Sequence, residues 1–170
     1  MSRPPAVTIC FVALGANVAG RFGVPKDAVE TAIRMLEGSD IKVIGRSRFY
    51  RSQAWPDPTD PEFVNAVVSV ETDLEPSSLL DRLHALEATF GRERREPNAP
   101  RTLDLDIVDY GGRVSSPGDK PILPHPRMGD RAFVLLPLAD VASEWRHPVS
   151  GASIGELIRS LPDPKGAAPL

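Results

Sequence analysis

The sequence predicts an α+β fold, a ferredoxin-like βαββαβ sandwich with short helices after it. Three observations carry that expectation. The apolar segments run strand, helix, strand twice in succession, and a proline opens each of the two helical patterns. The chain has 170 residues, 41% hydrophobic and 25% charged, which suits one core in one domain over residues 1–170.

Residues 6–14 are apolar and β-rich, lie between Pro5 and Gly15, and read as a buried strand. The Gly15-Ala16-Asn17 break reads as a strand-to-helix turn; it matches no Walker loop and no G-x-G-x-x-G. Ala28, Ala32, Ile33 and Leu36 recur at helical spacing over 25–36, with Gly38 as a stop. A second strand is expected over 41–50. Residues 51–62, broken by Pro56, Pro58 and Pro61, read as irregular, and 63–71 as a third strand. Leu79, Leu80, Leu83, Leu86 and Phe90 form one stripe of a second helix over 76–90. Residues 91–101 are polar and arginine-rich, a loop. A fourth strand over 103–110 ends at Gly111-Gly112, short helices follow over 131–141 and 154–161, and 162–170 is expected to fray.

Formal net charge is −3, which argues against a surface built to wrap nucleic acid. Cys10 is the single cysteine, so neither an internal disulfide nor a cysteine zinc cluster is open to the chain, and its apolar surroundings read as those of an inert buried thiol. There is no signal-peptide pattern and no apolar run of membrane-spanning length. A cytoplasmic monomer that engages neither membrane nor nucleic acid is the expectation.

The chemistry centres on Arg101-Thr102-Leu103-Asp104-Leu105-Asp106-Ile107. Side chains two apart on a strand share a face, so Asp104 and Asp106 point one way and the aliphatic residues the other. Adjacent unpaired carboxylates repel, and a cation is the usual remedy; the competing reading is the solvated face of an edge strand. Around this strand lie Arg92, Arg94, Arg95 and Arg101 before it and His125, Arg127 and Arg131 after it. Carboxylates, which hold magnesium together with phosphate oxygens, plus arginine forks that match phosphate are the inventory for a nucleoside triphosphate; surface pairing with Glu87, Glu93 and Glu96 is the plainer alternative. A second inventory suits a flat ring. Phe63 and Asn65 share a strand face, Phe133 follows the arginines, and Trp55 lies in the proline-rich segment. Rings stack on a heterocycle and an amide reads its edge, although each aromatic alone would serve equally as core. Asn65 interrupts an apolar strand, where an unpaired buried amide would cost about 1–3 kcal/mol.

These pieces together resemble the 6-hydroxymethyl-7,8-dihydropterin pyrophosphokinase family of folate biosynthesis. The matching segments are LGAN (14–17), FYRS (49–52), FVNAVV (63–68), LEATFGRER (86–94), APRTLDLDI (99–107) and PHPRMGDRAFVLLPL (124–138). The resemblance implies a ferredoxin-like fold and transfer of pyrophosphate from ATP to the pterin hydroxymethyl group. By the same resemblance Asp104 and Asp106 hold two magnesium ions. Arg92 and Arg94 assist transfer; Arg94, Arg101, His125 and Arg131 grip ATP, with Glu87 facing the nucleotide. Phe63 and Phe133 sandwich the pterin, Asn65 bonds its edge, and Ser52 and Trp55 line its pocket. Phe63 stands where the family often has tyrosine, Asn98 where some members have tryptophan, and Pro97 where a basic residue is usual. Three rival readings predict different properties. An RNA-binding sheet calls for a basic face, a ligand-sensing domain leaves the arginines unexplained, and a metal nuclease leaves the rings unexplained.

Overall fold

The computed structural model describes residues 6–91 and 100–170. The element order is β1 (Thr8–Ala16), α1 (Pro25–Leu36), β2 (Ile41–Arg46), β3 (Tyr50–Ser52), β4 (Phe63–Thr72), α2 (Pro76–Thr89), β5 (Asp104–Tyr110), a 3-10 turn at Met128–Asp130, α3 (Ala132–Val141), α4 (Ile154–Arg159) and β6 (Ala167–Pro169). The sheet runs β5-β1-β4-β3-β6, with β2 also on β4, and every pairing is antiparallel. The βαββαβ core of the ferredoxin-like fold is therefore present.

Its two helices follow from their sequences. Each begins with proline in its first turn, where the absent N–H loses nothing, and α1 carries Asp27 at its positive end. Ala28, Val29, Ala32, Ile33 and Leu36 of α1 and Leu79, Leu83 and Leu86 of α2 bury against one face of the sheet. From the sheet they meet Val12, Leu14, Ala66, Val68, Leu103, Leu105 and Ile107. The opposite face packs Phe11, Val67 and Val108 against α3 and α4. α3 is apolar almost all round and α4 opens with a Ser153–Glu156 capping box.

Two expectations are corrected. The strand expected over 41–50 is two strands laid end to end along β4. Between them Ser47 stays attached to β4 through its backbone N–H on the Val67 carbonyl (2.9 Å) and its Oγ, which accepts from Val67 N (2.9 Å). A serine hydroxyl competing for a ladder donor interrupts the regular pairing there. The tail expected to fray forms β6, because Ala167 is buried in the α3 and α4 core and Leu170 N donates to the Phe49 carbonyl at 3.0 Å.

Candidate active site

The end of the sheet that α3 and α4 leave uncovered forms the floor of a cleft of about 670 Å³. Strand alternation selects what reaches it. Gly15 of β1 stands between Asn65 of β4 and Asp104 of β5, and Ala13 stands opposite Asp106. Asp104 and Asp106 thus share the cleft face while Leu103, Leu105 and Ile107 are buried on the other. Gly15 is a floor residue within β1 and not the turn expected for it. A Cβ there would come within 3.2 Å of Asn65 Oδ1 and 3.7 Å of Phe63 Cδ1, so glycine keeps the floor low between the ring and the acids.

Asp104 pairs with Arg101 Nη1 at 2.5 Å, and Asp106 Oδ2 lies 3.9 Å from His125 Nε2. His125 Nδ1 accepts the Arg127 backbone N–H at 3.1 Å, which leaves Nε2 as the protonated nitrogen of a neutral ring. Burial pushes the His125 pKa below its ordinary value, against the pull of the Asp106 carboxylate, so the ring is neutral at pH 7. Burial also lowers the Arg131 pKa, and the same aspartates oppose it; the guanidinium remains charged and lies over the Phe133 ring, 5.5 Å from its centroid.

At the other end Asn65, 4% exposed, donates from Nδ2 to Ser52 Oγ at 2.9 Å. That bond satisfies one of its two N–H groups and directs its oxygen over Gly15. Phe63, Trp55 and Phe133 line the same cleft. α3, which carries Phe133 at its start, is fixed to β3 where Asp140 Oδ2 accepts from the Tyr50 hydroxyl (2.9 Å) and Arg48 Nε (3.1 Å).

Ten residues expected from the sequence therefore meet in one cleft: Ser52, Trp55, Phe63, Asn65, Arg101, Asp104, Asp106, His125, Arg131 and Phe133. Glu87 does not line it. Its carboxylate is 2% exposed and accepts the Leu105 N–H at 2.8 Å, because β5 is an edge strand whose outward amide would otherwise be buried without a partner. Arg92 and Arg94 lie outside the described residues. Asn17, read from the sequence as part of a turn, is a buried joint. Its Nδ2 donates to the Pro61 carbonyl (3.1 Å), its Oδ1 accepts from Arg101 N (2.7 Å), and its own N–H bonds the Arg101 carbonyl (3.0 Å). An amide directly after a strand break was the available signal. Asp163, Lys165 and Ala168 of the tail also line the cleft, and nothing in their composition pointed there.

Among the described residues no group of three or more His, Cys, Asp or Glu side chains could hold a metal alone. Paired carboxylates beside arginines nevertheless fit magnesium in the form it takes with nucleotides, where one or two protein carboxylates complete a shell of phosphate oxygens and water. The fold and the cleft together define a ferredoxin-like protein with a small-molecule cleft that joins acids and cations to aromatic rings.

The particular family follows from comparison with known proteins. Residues 11–143 match the family described as 7,8-dihydro-6-hydroxymethylpterin-pyrophosphokinase (HPPK). A 2-amino-4-hydroxy-6-hydroxymethyldihydropteridine pyrophosphokinase of Synechocystis is 40% identical, over 88% of this chain and 74% of its own length. The Methylorubrum extorquens protein of the same name is 34% identical over 94% and 97%. In the Pneumocystis carinii folic acid synthesis protein the 37% identical stretch covers 90% of this chain but 20% of that longer protein. A Plasmodium falciparum HPPK-DHPS crystal structure superposes on 93% of this chain and 45% of its own, with TM-score 0.69 at 17% identity. The chain belongs to the 7,8-dihydro-6-hydroxymethylpterin-pyrophosphokinase family.

Proposed function

We propose that the chain is a pyrophosphokinase of folate biosynthesis, transferring the terminal pyrophosphoryl group of ATP to the hydroxymethyl group of 6-hydroxymethyl-7,8-dihydropterin. The observation that carries this reading is the coexistence of two inventories in one cleft: acids and cations at one end, rings and a buried amide at the other. The pterin lies over Gly15 between Phe63 and Phe133, with Asn65 on its edge and Ser52 and Trp55 beside it. The triphosphate lies across the β5 end, where Arg101, Arg131 and His125 Nε2–H donate to its oxygens. Arg92 and Arg94 add charge from the neighbouring segment.

Asp104 and Asp106 are the residues that would hold two magnesium ions, which when bound would neutralise phosphate charge and draw electron density from the reacting phosphorus. The pterin hydroxyl oxygen bonds to the β-phosphorus and gives up its proton to solvent as the bond from that phosphorus to the α,β-bridging oxygen breaks, and AMP leaves with the electron pair of that bond. Such transfer asks the protein for position and charge more than for covalent help. Pterin stacking fixes the hydroxymethyl group, and the arginines fix the phosphate chain in line with it. The working unit is one domain over residues 1–170, a cytoplasmic monomer with small molecules as its only partners. The direct experiment follows AMP release from ATP with pterin or magnesium omitted in turn. Formation only when both are present supports the reading; equal formation without the pterin overturns it.

A further inference from the structure

The family match ends at residue 143, yet the wall of the cleft does not. After α4 the chain is pinned at buried Leu161, passes through a turn and is pinned again at buried Ala167. Within the turn Asp163 Oδ1 accepts Lys165 N at 3.1 Å and the Asp163 carbonyl accepts Gly166 N at 3.1 Å. The turn closes tightly enough that a Cβ on Gly166 would lie 3.2 Å from both the Asp163 carbonyl and Oδ2. Asp163, Lys165, Gly166 and Ala168 face the cleft.

The strap ends as β6, paired with β3 at Ser52↔Ala167, Arg51↔Ala168 and Tyr50↔Pro169. Because Leu170 N bonds the Phe49 carbonyl, alternation makes Arg51↔Ala168 the next hydrogen-bonded pair. Pro169 then falls at a position where its missing N–H costs no ladder bond. β3 is only three residues long and leads into the proline-rich segment. It is held on one edge by β4 and on the other by β6. Ser52 is thus fixed between Phe63 on β4 and Ala167 on β6, and its Oγ sets the Asn65 amide.

We infer that the C-terminal strap, residues 163–169, is a positioning element of the ring-binding half of the cleft, acting through β3 on Ser52 and Asn65. The inference rests on the pterin reading of that half. β5 and the 125–131 segment supply the acids, arginines and histidine of the phosphate end.

The test compares Ala168→Pro, which deletes the ladder N–H, with Ala168→Ser, which keeps it, and with a chain ending at Gly166. Binding of 6-hydroxymethyl-7,8-dihydropterin and of a non-hydrolysable ATP analogue with magnesium is measured separately, beside thermal melts. Ala168→Pro and the shortened chain should bind pterin about ten-fold more weakly and the ATP analogue within about two-fold of the parent, while Ala168→Ser matches the parent. Unchanged pterin affinity, or pterin and ATP affinities falling in step with Tm, overturns the inference. Hydrogen exchange on the unaltered chain needs no variant: pterin should slow exchange at Arg51 and Ala168 and the ATP analogue should not, and no protection by pterin also overturns it. If the parent itself fails to bind pterin, the reading of the site falls first.

Discussion

Replacing Gly15 by alanine separates the floor of the cleft from the stability of the sheet. The added methyl would sit 3.2 Å from Asn65 Oδ1, 3.7 Å from Phe63 Cδ1 and 3.9 Å from the Val64 carbonyl. The first contact is tighter than ordinary van der Waals contact, so the Asn65 amide must yield by a few tenths of an ångström. Two opposed terms govern folding. Alanine restricts the unfolded chain and returns about 0.5–1 kcal/mol in a strand. Overpacking a filled site costs about 1–3 kcal/mol. The difference is about 0–2.5 kcal/mol destabilising, a drop in Tm of less than about 10 °C for a domain of this size. On the proposed placement the pterin ring meets a harsher term, because the methyl would fill the space beneath it and tilt the Asn65 amide proposed to read its edge. A misplacement of about 1 Å costs on the order of 10²-fold in rate. Steady-state AMP formation at varied pterin concentration, with melts in parallel, should show kcat/KM for pterin falling about 10²-fold while KM for ATP moves little. A folded Gly15→Ala protein with parental kcat/KM would refute the placement of the ring over β1.

Other expectations concern different parts of the molecule. Asp104→Ala should leave the melt nearly unchanged and slow turnover by about 10³ or more, given what charge stabilisation supplies in phosphoryl transfer; near-normal turnover would sink the metal assignment. Phe133→Ala should weaken pterin binding by about ten- to hundred-fold, the worth of one buried aromatic face, with a smaller effect on ATP; calorimetry showing equal losses would remove the stacking role. Asp109 is 3% exposed, its Oδ1 has no hydrogen-bond partner, and burial raises its pKa although Oδ2 accepts from Trp145 Nε1 and Gly112 N. A folded-state pKa above the unfolded one gives stability that is full below the unfolded value, about 3.9, and is lost as pH rises through the folded value. Asp109→Asn should therefore gain stability relative to the parent between acid and neutral pH in urea titrations; a difference independent of pH would contradict a buried, reluctantly charged carboxyl. Burial pushes the Cys10 thiol up to about 12, so a thiol reagent should label it only on unfolding, and fast labelling of the native protein would count against that.

The core elements were legible because each announces itself through local chemistry. Pro25 and Pro76 mark helix starts, Leu79, Leu83 and Leu86 a stripe, and Leu105 and Ile107 one buried face of β5 with Asp104 and Asp106 on the other. What escaped depends on partners distant in sequence. β6 exists because Ala167 fits a core formed by α3 and α4, which a stretch of Pro, Lys, Gly and Ala does not disclose. Asn17 reaches Pro61 and Arg101, separated from it by 44 and 84 positions, so its importance belongs to the tertiary arrangement. Glu87 sits on the helix, as the resemblance implied, but the edge of β5 claims its carboxylate at Leu105.

That last bond has a reach beyond α2. Leu105 separates the two acids, so the carboxylate that grips its amide acts as a stop against sliding of β5 along its own axis. Any change that shifts α2 by a fraction of a turn, for instance at Leu83 or Leu86 on the far side of the sheet, would carry Asp104 and Asp106 with it. Substitutions in that hydrophobic stripe should thus behave as mistuned catalysts before they behave as unfolded proteins.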